Sequence, residues 1–401
     1  MNLNRVVVVG ASLAGVSAIE SLRERGFRGD IVLVGAEDRL PYTRPPLSKD
    51  ALATGLSESA LRLREREWFD ARGVTLRLGE AATALDTRDR LLWLGSGTSI
   101  TYDGLVIATG SISRRMPMTL SMPTAHTLRT YDDAELLGRA LERGGHLVVI
   151  GAGFIGLETA ATARALGLDV TVVDVMPTPM YRFGEQVGIW YADLHERNGV
   201  RIVCSTGVDS LRAADDRAHV VLDTGETLTA DTLLVGVGGI PATAWLTGSS
   251  IGFADGVRCE PDLSTGVPGV VAAGDVARWH NKVFDETMRV EHWTNAVEQG
   301  MHAAGTLLGE SRPFESVPYF WTDQFEAKLR CVGRVSPEDD IAVLRRDETS
   351  LVAAYGRDGV IRGAVCVNAP RQLATLRNAI AQRADFREIT GSSTDPVTTT
   401  P

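Results

Sequence analysis

Cysteine is scarce in this chain of 401 residues: Cys204, Cys259, Cys331 and Cys366 are the only four, no two of them close in sequence. That excludes a disulfide scaffold, a zinc-finger spacing and a C-x-x-C redox pair, so no metal site is expected. Lysine is scarcer. Only Lys49, Lys282 and Lys328 stand among the 41 lysines and arginines, an arginine bias that reads as a GC-rich genome and draws attention to each lysine that persists. Positive charge is not in excess: 51 acidic residues leave a net charge of −10, which argues against nucleic acid as the main partner. No apolar run approaches the roughly 18 residues needed to span a bilayer. The start, MNLNRVVVVGAS, has one short apolar stretch, Val6 to Val9, that runs into a glycine turn, unlike a signal peptide. A soluble, cytoplasmic protein is therefore expected, in a compartment where thiols stay reduced. Hydrophobic residues at 44% and charged residues at 23% are ordinary for a folded chain. The length suggests two or three domains at roughly 100–200 residues each.

What is present is a repeated turn. Val6 to Val9 reads as a strand buried on both faces. It leads into Gly10-Ala11-Ser12-Leu13-Ala14-Gly15, a helix to about Arg25, and a second strand, DIVLVGAE, ending near Glu37. The pattern returns as Leu147 to Ile150, then Gly151-Ala152-Gly153-Phe154-Ile155-Gly156, a helix to about Leu166, and a strand Val170 to Val173 closed by Asp174. One such turn alone is a weak signal; two in full βαβ context indicate two dinucleotide sites. In each, one glycine makes the tight turn, one lets backbone approach a pyrophosphate, and one packs the helix on the strand. Ser12 replaces the middle glycine of the first copy, and its small hydroxyl is able to donate to a phosphate. Glu37 and Asp174 are placed to accept the ribose hydroxyls of an adenosine, and Asp174 would repel the extra phosphate of NADP. Arg182 lies near enough in sequence to soften that repulsion.

Further strands are predicted at Thr75–Leu78, Leu105–Ala108, Arg201–Cys204, Thr232–Val235 and Val270–Ala273. From Tyr319 the runs FWTDQFEAKLRCVGRV, IAVLRRD, TSLVAAYGRDG and VIRGAVCVN alternate like antiparallel strands, and ATLRNAIAQRA reads as a closing helix. A disordered polar tail is expected from about residue 390. Two strings put glycine at a strand end, YDGLVIATGS with Thr109 and Gly110, and GVPGVVAAGDVA with Asp275, whose carboxylate suits a polyol chain.

These strings carry a resemblance. PYTRPPLSK, ATGS, GAGFIGLE, GVPGVVAAGDVA, RVEHWTNAVEQG and YFWTDQFEAKLRCVG together cover almost the whole chain up to its tail. The chain resembles the two-dinucleotide flavoprotein reductases. It is most similar to the ferredoxin reductases that feed oxygenases, of the putidaredoxin-reductase and biphenyl-dioxygenase-reductase type. The resemblance implies an α/β fold of two Rossmann-like domains, an NAD domain (113–245) inserted in an FAD domain (1–112 and 246–318), plus a C-terminal α+β domain (319–401). It implies tightly bound FAD held by Gly10, Ser12, Ala14, Gly15, Glu37, Arg44, Lys49, Ala82, Thr109, Gly110, Arg129, Asp275 and Trp293. NADH, preferred over NADPH, would be held by Gly151, Gly153, Ile155, Gly156, Glu158, Asp174, Arg182 and Gly238.

The segment PYTRPPLSKDAL lacks the C-x4-C of the fold's disulfide reductases and the single cysteine of its peroxide reductases. The flavin would then pass electrons to an outside acceptor. Lys49 is implied beside the flavin, paired with Glu158, expected in the first turn of its helix, where the dipole favours an anion. The implied activity is hydride transfer from NADH to FAD, then single electrons to a [2Fe–2S] ferredoxin that serves a cytochrome P450 or other oxygenase. A local basic patch for the acidic ferredoxin is expected from Arg62, Arg64, Arg66, Arg371 and Arg377. Reduction of a small molecule such as monodehydroascorbate, or a redox-sensing role, stays open on the sequence alone.

Overall fold

The computed structural model describes residues 3–55 and 57–391; the tail expected from about 390 lies, beyond Gly391, outside the described residues. The chain divides into two compact units. The first takes residues 3–44, 57–112 and 239–318, the second 45–55, 113–238 and 319–391.

The first unit is built on a five-stranded parallel sheet in the order Val270–Ala272, Gly104–Ile107, Arg5–Val9, Asp30–Val34, Val74–Arg77. The continuous valine run explains the central position of Arg5–Val9: Val6, Val7 and Val8 are fully buried, with both faces covered. Each such side chain contributes about 1.5–3 kcal/mol relative to an exposed one. Helix Leu13–Glu24 follows and packs on helix Trp293–Leu307. That packing is close because of Gly300, where a Cβ would stand 2.4 Å from the Ala14 carbonyl oxygen. From the central strand the chain moves to one side, through Asp30–Val34, and later returns to the other, through Gly104–Ile107. This reversal opens a crevice at the carboxyl ends of Arg5–Val9 and Gly104–Ile107.

The second unit repeats the plan in the order Val200–Val203, Asp169–Val173, His146–Ile150, Thr232–Val235, Ala125–His126, again parallel. Its reversal lies between His146–Ile150 and Thr232–Val235. A three-stranded antiparallel sheet, Val208–Ala214, Arg217–Leu222 and Thr227–Ala230, adds to it. The C-terminal part is a five-stranded antiparallel sheet, ordered Tyr319–Gln324, Ala327–Gly333, Val360–Val367, Leu351–Arg357, Asp340–Arg346, with helix Pro370–Ala381 against it. The run FWTDQFEAKLRCVGRV, read as one strand, is a hairpin of two. Phe325, at φ 51°, turns the chain in the left-handed region, which the sequence signals with no glycine or asparagine. The parallel strands predicted from their apolar runs occur within one or two residues of the expected places, except that the strand expected to end near Glu37 ends at Val34.

Candidate functional site

The first crevice is lined by the first glycine turn. Gly10 has φ +121°, and a Cβ on it would stand 2.0 Å from the Ala108 carbonyl oxygen. Gly15 is equally constrained, since its Cβ would meet the Gly10 carbonyl oxygen at 2.2 Å. Ser12 is the N-cap of helix Leu13–Glu24 in extended backbone, and its hydroxyl makes no capping bond. No acid stands in the first turn, so the helix amides face the crevice without internal competition. Ala14 sits where the helix meets Gly274, whose added Cβ would lie 3.0 Å from the Ala14 methyl.

On the neighbouring strand end, Gly110 has φ +67° and the Thr109 hydroxyl donates to the Ala242 carbonyl at 2.8 Å. Asp275 follows strand Val270–Ala272 and accepts the Ser111 hydroxyl at 3.2 Å. The Gly274 amide donates to the buried Gln299 side chain at 2.8 Å, which clips this turn to helix Trp293–Leu307. Trp293 opens that helix and its indole N–H donates to Thr43 at 3.3 Å. Ala82 opens strand Ala82–Asp86.

Glu37 differs from its sequence reading. Its two oxygens are not waiting for a ribose alone: Arg44 donates to one at 2.7 Å, and the Tyr42 hydroxyl donates to the other. The Arg44 guanidinium also bonds the Tyr42 hydroxyl at 2.9 Å and lies over its ring at 4.9 Å. Glu37 and Arg44 thus form one neutralised clamp, in which each carboxylate oxygen retains a lone pair. Tyr42, Ser111 and Gln299 were missed by the sequence reading; nothing but their places in these loops distinguishes them from surface polar residues.

In the second unit, Gly151 at φ +108° and Gly156 play the same parts. Their added Cβ atoms would meet the Gly236 carbonyl oxygen at 2.4 Å and the Gly151 carbonyl oxygen at 2.0 Å. Gly153, the N-cap of helix Phe154–Ala165, has nothing within 4 Å of its Cβ position: the space before it is open. Gly238, at φ +96°, is open in the same way. Asp174 holds its carboxylate by two backbone amides, Ala152 at 2.6 Å and Met176 at 2.8 Å. No side-chain cation pairs with it among the described residues. Burial first, then the Asp174 charge, pushes the Cys204 thiol up to about 11. Ile155, Val175 and Met176 expose apolar surface around this strand end. Arg182 lies in the short turn Tyr181–Phe183. Arg129, in this unit and not the first, precedes the Thr130 capping box of helix Tyr131–Leu141, and its amide donates to Asp133 at 2.9 Å.

Lys49 and Glu158 meet as expected. Lys49 Nζ stands 2.7 Å from Glu158 Oε2, with the side chains 21% and 5% exposed, so the pair is shielded from water. The Pro45–Ser48 turn delivers Lys49: its two prolines fix the backbone, and the Ser48 hydroxyl also donates to Glu158 Oε2. The Thr322 hydroxyl donates to Glu158 Oε1. The expected helix-dipole contribution is corrected. The helix starts at Phe154, so Glu158 is its fifth residue, beyond the first turn, where the dipole falls away. Three side-chain donors take its place. Burial, then the charges of Asp323 and Glu158, pushes the Tyr191 hydroxyl well above its ordinary range. Removing one partner of such a pair typically costs about 3–5 kcal/mol.

The expected basic patch is weaker than its arginine count. Arg62 is bridged to Glu58 at 3.3 Å and Glu65 at 2.9 Å, and Arg64 to Glu20 at 2.9 Å. Arg66, Arg371 and Arg377 are exposed. The four cysteines are free, and burial raises the thiols of Cys259 and Cys366 to about 12. Among the described residues no helix is long and apolar enough to cross a membrane.

The two glycine cradles fit dinucleotides. Each closes tightly on the protein's own backbone at its first and third glycines, and the second leaves open space at its middle glycine. Comparison with known proteins agrees. Residues 4–300 match the pyridine nucleotide-disulphide oxidoreductase family, and residues 319–395 match the reductase C-terminal family. Rhodocoxin reductase from Rhodococcus erythropolis is 36% identical over 97% of this chain and 92% of its own. The ferredoxin–NAD(+) reductase component of the anthranilate 1,2-dioxygenase system from Burkholderia cepacia is 35% identical over 96% of each chain. The crystal structure of the ferredoxin reductase for the CYP199A2 system from Rhodopseudomonas palustris superposes with a TM-score of 0.92, at 35% identity over 98% of each chain. The chain belongs to the pyridine nucleotide-disulphide oxidoreductases, in the ferredoxin reductase branch that carries the reductase C-terminal domain.

Proposed function

We propose that this protein is a cytoplasmic NADH-dependent ferredoxin reductase that supplies an oxygenase or cytochrome P450 through a [2Fe–2S] ferredoxin. The observation that carries the reading is the shielded Lys49–Glu158 pair in a chain with two dinucleotide cradles and no cysteine in residues 41–55. The names of its relatives support the same acceptor and donor.

Bound FAD supplies the redox chemistry: acceptance of a hydride from NADH and release of two electrons one at a time. The chain's residues bind and orient. Gly10, Ser12, Ala14 and Gly15 form the FAD pyrophosphate cradle, and Glu37 with Arg44 the ribose clamp. Ala82, Thr109, Gly110, Arg129, Asp275 and Trp293 complete a tight, non-covalent FAD site. Gly151, Gly153, Ile155, Gly156, Gly238 and Arg182 hold NADH. Asp174 accepts its adenosine ribose hydroxyls and repels a 2′-phosphate, so NADH is preferred over NADPH. Glu158 orients the nicotinamide through Lys49, whose cation balances the negative charge that arrives with the hydride. The functional domains are 1–112 with 246–318 for FAD, 113–245 for NAD, and 319–401 for partner docking. No nucleic acid or membrane takes part.

Stopped-flow reduction of the yellow holoprotein by NADH tests the site. Lys49→Met should keep its FAD and be reduced at least about a hundredfold more slowly, the rate equivalent of losing a buried pair. An unchanged rate would remove the pair from the mechanism.

A further inference from the structure

Beyond Glu158 the hydrogen bonds continue away from Lys49. Thr322 Oγ1 donates to Glu158 Oε1 and accepts from Gln324 Nε2 at 3.1 Å. Gln324 Oε1 lies 2.9 Å from His195 Nε2. Thr322, Gln324 and His195 are all at most 1% exposed. Four polar side chains thus run in one buried file, from helix Phe154–Ala165, through strand Tyr319–Gln324, to helix Glu185–Arg197.

The direction of this file follows from its proton count. Threonine has one hydroxyl proton. If Thr322 accepts from the Gln324 amide, its proton points at Glu158, and the Gln324 oxygen faces His195, which must then carry its proton on Nε2. The reverse polarity fails at both ends. It turns the Thr322 proton toward Gln324 and leaves two oxygens, of Thr322 and Glu158, facing each other without a proton. It also moves the histidine proton to Nδ1, a buried atom with no hydrogen-bond partner among the described residues. A buried orphan N–H is among the rarest features of folded proteins. A positively charged His195 is disfavoured as well: burial pushes its pKa down to about 4, against a smaller opposing contribution from the Gln324 bond. Only one arrangement satisfies the file, and it ends with a donor on Glu158.

We propose that Thr322, Gln324 and His195 are positioning residues for hydride transfer, a one-directional relay by which the C-terminal sheet fixes the Glu158 carboxylate that holds Lys49. This rests on the reading of Lys49 and Glu158 given above. Without the relay, Glu158 keeps Ser48 and Lys49 on one oxygen and loses, among the described residues, its only side-chain donor on the other, so it is free to rotate about its last torsion and carry Lys49 with it. The file assigns the C-terminal sheet a part in the chemistry of the pair, besides any part in docking.

The chain itself offers a direct probe. With three lysines, lysine labelled with carbon-13 at Cε gives three side-chain signals, and Lys49 is the one lost in Lys49→Met. Thr322→Val keeps the shape of the side chain and deletes its proton. In the FAD-loaded holoprotein, the Lys49 signal should move in Thr322→Val and return in Thr322→Ser, with the Lys282 signal unmoved in both. Flavin reduction at saturating NADH should fall roughly tenfold or more, as for loss of a hydrogen bond to a charged group, while Kd for NADH changes by less than about twofold. Thr322→Ser should restore the rate. Gln324→Met cuts the file one step further out and carries the same test if Thr322→Val does not fold. An unmoved Lys49 signal with a wild-type reduction rate overturns the relay. If Lys49→Met itself is reduced at the wild-type rate, the pair has no part in hydride transfer, and the Lys49 signal in Thr322→Val still decides whether the relay holds the pair.

Discussion

The two cradles use the same backbone device and treat charge differently. In both, the first glycine lies where a Cβ would strike the carbonyl of the residue just past a neighbouring strand, and the third lies against the first. The middle position diverges. Ser12 and Gly153 have φ −144° and −83°, values any residue adopts, so neither backbone demands glycine there. Gly153 faces open space. The acids diverge further. Glu37 is paired with Arg44 and capped by Tyr42, whereas Asp174 is held by backbone amides, with no side-chain cation paired to it among the described residues. The comparison teaches that the fold requires the first and third glycines, while the backbone leaves the middle position unconstrained. On the function proposed above, a neutral clamp would make no choice about a ribose phosphate, whereas a carboxylate with no paired cation would.

The largest effect should come from attacking what the cradles share. Gly10→Ala places a methyl against the Ala108 carbonyl in a positive-φ residue, a cost of several kcal/mol. The variant should be purified without yellow colour or not fold, as read by FAD content and thermal melting. Gly151→Ala should leave FAD in place and abolish NADH binding. The next effect is a pH slope. His195 is neutral when folded, with a pKa lowered to about 4 from 6.5. A lowered folded value means that its contribution is complete above pH 6.5 and is lost as pH falls through about 4, for about 3 kcal/mol at 1.36 kcal/mol per unit. Denaturant melts of the holoprotein between those pH values should show this slope, and His195→Gln should lack most of it.

Smaller effects test the acids. Asp174→Ala should shrink the NADH-over-NADPH ratio of kcat/KM by about tenfold or more, the loss of a charged hydrogen-bond acceptor worth about 1.5–3 kcal/mol. Arg44→Met, which frees Glu37 instead, should leave that ratio unchanged. The smallest is a thiol reporter. Because the Asp174 charge is the second cause, after burial, of the raised Cys204 pKa, Asp174→Ala should speed alkylation of Cys204 at pH 8 by a few-fold. Cys259, in the other unit, should not respond.

The sequence made the two parallel sheets legible because an apolar run followed by a fixed glycine spacing is a local signal. Strands such as Thr232–Val235 were visible for the same reason. The Lys49–Glu158 pair was reached through the resemblance, not through spacing, for the two are brought together only by folding. The wider site was illegible. Thr322 and Glu158 are 164 positions apart, and His195 and Gln324 are 129 apart, each a single polar residue within an otherwise apolar or mixed run. No periodicity marks a residue whose partner lies across the fold. The helix start was misjudged by one turn for a related reason: the fingerprint locates its glycines, not the first helical residue. Likewise the arginines of residues 62–66 promised a basic patch because the sequence does not show that Glu20, Glu58 and Glu65 close on them.

The central claim is that electrons leave this protein singly, for an iron–sulfur partner. The most direct measurement is NADH-driven reduction of cytochrome c with and without a panel of [2Fe–2S] ferredoxins, at low and physiological salt. The account predicts that at least one ferredoxin strongly accelerates the reaction. The rate should fall only shallowly with salt, since Arg62 and Arg64 are already paired and the exposed arginines supply the steering. Direct NADH–ferricyanide activity should barely change. Vigorous ferricyanide turnover with no acceleration by any ferredoxin, at either salt concentration, would contradict it.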